Sequence, residues 1–169
     1  MADLLSVVIG GVISLVGVFG VEAYKTDKYR DALYASLISE IVTILEFVEE
    51  LKMLPTMRDH VVKLESGIRS LTTFQILQTY STVFDSSAGQ IGILGEEISQ
   101  KIIRFHTYLK VAIENNDIFR RCISEGYPQE AKSSCQLVIK NLEALISLGN
   151  DITVVGKKSV QNGGRLKNK

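Results

Sequence analysis

The groups best able to do chemistry in this chain are its two histidines, His60 and His106, and its two cysteines, Cys122 and Cys135. Helical bundles hold metals through Glu-x-x-His pairs, which set a carboxylate and an imidazole on one helix face. Here Met57 stands three residues before His60 and Ile103 three before His106, and neither histidine begins an HExxH motif. No metal or cofactor site is expected from them. His60 reads as a surface residue beside Asp59, and His106 as a residue at a bundle edge or loosely buried. The cysteines form no CxxC pair and are too few for a disulfide framework, so they read as reduced, buried small hydrophobes. A bridge between adjacent helices in an oxidising compartment is the alternative.

The stretch "GQIGILGEE" places Gly89, Gly92 and Gly95 ahead of a helical pattern, where backbone N–H groups could cradle an anion or meet a partner, with Arg104 further along. It lacks the lysine of a P-loop and the preceding strand of a dinucleotide fold, so tight-turn geometry is the preferred account of the glycines. Arg120 and Arg121 make a local basic spot, with Asp117 and Glu125 a helical turn away as partners. No serine, cysteine or lysine stands in a recognisable nucleophile setting, and the chain is not expected to be an enzyme.

The elements that carry these groups follow from patterning. Helices are favoured over sheet because only two prolines occur in 169 residues and strict apolar/polar alternation is scarce. The 19 basic and 19 acidic residues balance, which leaves no basic footprint for nucleic acid. Between Leu4 and Val21 no residue is charged, although Gly10, Gly11, Gly17 and Gly20 would weaken a water-exposed helix by about 1 kcal/mol each. Hydrocarbon reverses that argument, since an unpaired backbone group costs several kcal/mol there and enforces the helix. At about 1.5 Å per residue the stretch spans roughly 27 Å, one bilayer crossing. A cleaved signal peptide and a buried core helix are the competing readings; the first lacks a positively charged start, and the second is allowed by the short span.

Ser6, Gly10, Ser14 and Gly17 fall on one stripe of that helix, the small-residue pattern through which membrane helices associate. Lys25, Lys28 and Arg30 follow the span, and no lysine or arginine precedes it. The positive-inside rule therefore places the C-terminal side in the cytoplasm and the N-terminus outside an inner membrane.

Beyond the span, Leu33, Leu37, Ile41, Leu45, Val48 and Leu51 form an apolar stripe, with Glu40, Glu46, Glu49 and Glu50 off it; "YKTDKYRD" contains nothing to break the helix, and Pro55 marks its end or a turn beyond. Short helices are expected around Met57–Leu64 and Leu71–Phe84. "DSSAGQIGILG" reads as a structured loop. A helix carrying Ile98, Ile102, Phe105, Leu109 and Ile113 then runs to about Ile123. Pro128 opens a last helix whose inner face is Leu137, Val138, Leu142, Leu145, Ile146 and Ile152. From Lys157 onward Lys157, Lys158, Arg165, Lys167 and Lys169 meet no acid, so this segment reads as a disordered basic tail, either solvated or drawn to anionic lipid.

The stretch "QTYSTVFDSSAGQIGILGEEISQKIIRFHTYLK", through Tyr80, Phe84, Ile91, Gly92, Leu94, Phe105 and Tyr108, resembles small uncharacterised bacterial membrane-anchored helical proteins. The resemblance covers about a fifth of the chain. It implies that architecture and a bacterial source, and no activity.

The expectation is an all-α chain in three parts: an N-terminal transmembrane anchor over 1–25, an antiparallel cytosolic helical bundle over 26–156, and the basic tail over 157–169. Its partners would be membrane lipid and either a second copy or another protein, as a passive tether or a membrane-acting defence or toxin-type effector. A membrane-tethered sensor of a small ligand or anion, using the 89–95 loop and Arg104, is the alternative.

Overall fold

The computed structural model describes the backbone of residues 2–68 and 81–161 and the side chains of 25–68 and 81–154. The side chains of the uncharged stretch and of its stripe Ser6, Gly10, Ser14 and Gly17 lie outside the described residues. So do the helix expected from Leu71 and the charges Arg165, Lys167 and Lys169. Apart from short connections the described residues are helical, with no strand among them: α1 (Ala2–Glu50), α2 (Met53–Glu65), α3 (Thr82–Ser87), a 3-10 turn (Ala88–Leu94), α4 (Glu96–Glu125) and α5 (Pro128–Gln161).

α1 runs without a break from Ala2 to Glu50, as the lack of glycine and proline between Tyr24 and Asp31 anticipates. It ends at Glu50, five residues before Pro55: Lys52 takes a left-handed turn at φ 49°, and Pro55 sits in the first turn of α2. Proline is tolerated there because its missing N–H would have had no intrahelical acceptor. Leu51, counted on the apolar stripe by spacing, is carried out by this turn and is exposed.

"DSSAGQIGILG" is not a loop. Ser86 and Ser87 turn their hydroxyls back onto the Val83 carbonyl at 3.0 and 2.5 Å, and helix continues as a 3-10 turn whose Ile91 and Leu94 enter the core. Of the three glycines only Gly95 has positive φ, at 89°, where it separates the turn from α4. Gly126, at φ 83°, ends α4 with Tyr127 N–H bonded to the Cys122 carbonyl at 2.8 Å, and Pro128 opens α5 as expected. α5 extends to Gln161, so Lys157 and Lys158 stand on helical backbone and the tail as drawn from sequence begins too early.

α4 and α5 form an antiparallel hairpin across Gly126–Tyr127. α2 lies antiparallel to α5, tied by Arg58–Glu143 (2.6 Å) and Lys132–Glu65 (2.8 Å). α1 is also antiparallel to α5: Leu142 shares a wall with Val48 and Met53, while Gly149 lies against Leu45. Leu37, Ile41, Met57, Ile102, Phe105, Phe119, Leu145 and Ile152 make the centre of this core. It closes tightly: the space left between Ile44, Met53, Leu109 and Leu142 is about 10 Å³. Leu137, assigned to the inner face by spacing, is exposed, and the register of α5 gives its place to Ala131, Cys135 and Val138.

Candidate functional site

The polar groups that the fold buries meet where α1, α3 and α4 converge. Glu40, on α1, is placed off the apolar stripe by spacing, yet its side chain is only 8% exposed. Its carboxylate accepts the backbone N–H of Val83 at 2.6 Å and of Phe84 at 3.1 Å. These amides open α3, where no intrahelical carbonyl is available, so a carboxylate from another helix does what a capping side chain does locally. Burial pushes the Glu40 carboxyl above its ordinary range and the Asp85 charge adds to this, while the two N–H groups pull it back.

His106, on α4, sits beneath this contact. Its side chain is 2% exposed, Phe84 stacks on it with centroids 4.0 Å apart, and Phe105 meets its ring edge at 5.3 Å. Of the two positions expected for it, bundle edge or loosely buried, His106 takes the buried one. Nε2 lies 3.6 Å from Glu40 Oε1, too long for a hydrogen bond, and neither ring nitrogen has a partner in the protein. Burial lowers its pKa from 6.5 to about 4 against the opposing pull of Asp85, so the imidazole is neutral at pH 7. His106 lines a cavity of about 240 Å³ between α3 and α4, with Phe84, Leu109 and Ile113 as its apolar part and Asp85, Lys110 and Glu114 among its polar groups.

His60 is buried as well, 1% exposed and stacked on Phe119 with centroids 5.4 Å apart; Asp59, its supposed surface neighbour, pairs with Lys63 at 2.6 Å. The error is one of helix phase: Met53, Met57, His60 and Leu64 form the inner face of α2. No group of three or more metal-ligating side chains occurs among the described residues. The cysteines are free. Cys135 is buried with Sγ 3.2 Å from the Met57 carbonyl, and burial pushes its thiol up to about 11.

Gly89, Gly92 and Gly95 do not meet Arg104. Ser99 occupies the inner side of their turn, donating to the Ile91 and Gly95 carbonyls at 2.7 and 2.6 Å, while Glu96 and Glu97 hold the first turn of α4. Arg104 lies about 13 Å further along α4 on roughly the opposite face and is exposed, 3.4 Å from the Tyr108 hydroxyl. Arg120 pairs with Asp117 at 3.7 Å.

Sequence spacing missed the Glu40–Phe84–His106 cluster because each member stands alone in its own segment. The usable signal was the spacing of Glu40, three residues after Leu37 and four before Ile44, which sets it on the flank of the buried stripe. The chain matches no protein-family model, no curated protein and no solved structure.

Proposed function

We propose that the protein is a membrane-tethered helical interaction protein, anchored through Leu4–Val21 with its bundle in the cytoplasm. The observation that carries this reading is the unbroken α1, in which one helix bears an uncharged stretch at one end and the core residues Leu33, Leu37, Ile41, Ile44 and Val48 at the other. Among the residues whose side chains are described, no helix is long and apolar enough to cross a membrane, and Leu4–Val21 lies outside them. At 1.5 Å per residue α1 is about 74 Å long, enough for a bilayer crossing and the full height of the bundle. Rotation or self-association of the anchor would therefore reach the bundle with no hinge to absorb it.

Lys25 and Lys28 are exposed beside the span, and Arg30 is held by Asp27 and Asp31 at 3.3 and 3.6 Å. This charge orients the bundle to the cytoplasm. The stripe Ser6, Gly10, Ser14 and Gly17 supplies the self-association face, and the basic residues from Lys157 onward the attraction to anionic lipid. The resemblance to bacterial membrane-anchored helical proteins agrees with this reading. Cell fractionation followed by carbonate extraction is the test. The chain should stay with the membrane pellet, and its recovery in the soluble fraction would overturn the proposal. Gly10→Leu and Ser14→Leu should weaken crosslinking between copies without releasing the chain; loss of overexpression toxicity in these variants would select an effector over a passive tether.

A further inference from the structure

α3 is held lightly, and it seals His106. Of its six residues only Ser87 is buried. Its ties to the bundle are the Val83 and Phe84 N–H groups on Glu40 and the Phe84 ring, stacked on the imidazole with centroids 4.0 Å apart. The following 3-10 turn is anchored separately by Ile91 and Leu94 in the core, so Thr82–Ser87 can lift without it. Under α3, both ring nitrogens of His106 are closed off and have no hydrogen-bond partner in the protein. The charged groups facing the ring are Glu40 from α1, with Oε1 3.6 Å from Nε2, Asp85 from α3, and Lys110 and Glu114 of α4 around the adjoining cavity. A proton on the covered ring would be a desolvated charge without a hydrogen bond. Moving Phe84 aside hydrates that charge and leaves the packing of α1, α4 and α5 intact.

We propose that α3 is an acid-opened lid: protonation of His106 is met by withdrawal of Phe84 and release of the Val83 and Phe84 amides from Glu40, which uncovers the imidazolium while the rest of the bundle stays folded. The cavity of about 240 Å³ beside the stack lets water follow, and opening bares its apolar side chains Leu109 and Ile113. Linkage sets the size of the effect. Burial holds the covered ring near 4, whereas an exposed one titrates near 6.5. Above pH 6.5 neither form is protonated, and the lid keeps its full stability. As pH falls the open form takes the proton first, so at pH 4.5 opening is favoured about fifty-fold over its value at pH 7. Glu40 opposes this in part, because its raised carboxyl lets the closed form bind a proton preferentially, and about tenfold is the lower expectation. The inference does not depend on the membrane reading, since every group involved lies in the bundle.

Hydrogen exchange of the full chain in non-ionic detergent at pH 7 and pH 4.5, corrected for the intrinsic rate at each, is the test. Protection at Val83 and Phe84 should be lower than at Leu142 and Leu145 at both pH values, and should fall by about ten- to fifty-fold on acidification. In His106→Phe that fall should vanish. Equal protection of α3 and the α5 core, no loss of α3 protection at pH 4.5, or the same loss in His106→Phe would each overturn the proposal. A second measurement stands whether or not that variant folds: followed by NMR, the His106 ring should titrate at higher pH in Phe84→Ala than in the parent. An unshifted titration would show that Phe84 does not seal the ring, and the lid would be lost with it.

Discussion

His106 should make the bundle acid-sensitive over a defined interval, and replacing it by phenylalanine should remove that sensitivity. In the unfolded chain the imidazole titrates near 6.5, whereas burial lowers it to about 4 in the fold. Above pH 6.5 both states are neutral at this residue, so it contributes no pH dependence. As pH falls through 6.5 the unfolded chain takes up a proton that the native state refuses, and stability is lost progressively until pH approaches 4. At 1.36 kcal/mol per unit, the part of the shift expressed between pH 7.5 and pH 4.5 is worth about 2 to 3 kcal/mol. Glu40 acts in the opposite direction: its raised pKa lets the native state bind a proton before the unfolded chain does, which offsets part of the loss at the acid end. Urea unfolding of the full chain in non-ionic detergent, followed by circular dichroism at both pH values, gives each difference. His106→Phe keeps the stack on Phe84 and should lose less stability than the parent by about 2 kcal/mol over that interval. Equal losses in the two proteins would refute the burial argument, because the proton uptake would then belong elsewhere.

Three further outcomes follow from named contacts. Gly149→Val should destabilise by about 2 kcal/mol in the same unfolding assay, since even a Cβ would stand 2.8 Å from Phe105 Cε2 and 2.9 Å from Leu45 Cδ1, and Phe105 is fully buried; an unchanged midpoint would show that the α1–α5 contact yields. Glu40→Gln leaves one carbonyl oxygen for two amides, so hydrogen exchange at Val83 or Phe84 should quicken by about tenfold or more, corresponding to the roughly 1 to 3 kcal/mol of an unmet buried donor, and unaltered exchange at both would remove Glu40 from its capping role. Iodoacetamide at pH 8 should modify the partly exposed Cys122 and spare Cys135 until urea unfolds the chain, because burial raises the Cys135 thiol to about 11; early modification of Cys135 would contradict its placement.

The elements with strong periodicity were legible in the sequence. α4 and α5 were recognisable because Ile102, Phe105 and Leu109, then Val138, Leu142 and Leu145, repeat at helical steps between the breaks at Gly95 and Gly126–Pro128. The 3-10 turn was hidden for the converse reason. Serines precede it and two glycines interrupt it, and its helical state depends on Ile91 and Leu94 finding the core, a tertiary term that local pattern does not contain. His60 was placed at the surface, and His106 left between edge and interior, through the same limit. Polarity argues for the surface, whereas a neutral imidazole stacked on Phe119 or Phe84 behaves as an aromatic core residue.

The position of Glu40 bears on how α1 is held in register. The inward face of α1 repeats Leu33, Leu37, Ile41, Ile44 and Val48 at steps of three and four, so a slide by one turn would set similar apolar groups against α4 and α5. Area burial alone discriminates poorly between such registers, because it is non-directional. The two amides at the start of α3 are directional and need an acceptor at one height. A displacement of one turn, about 5.4 Å, would carry the Glu40 carboxylate out of reach of both. Leaving them buried and unmet would cost about 1 to 3 kcal/mol each, larger than the difference expected between similar apolar contacts. A single carboxylate thus sets the height of a long helix that the hydrophobic stripe only attracts. It also fixes α3 over His106, so the cavity wall and the α1 helix share one polar contact.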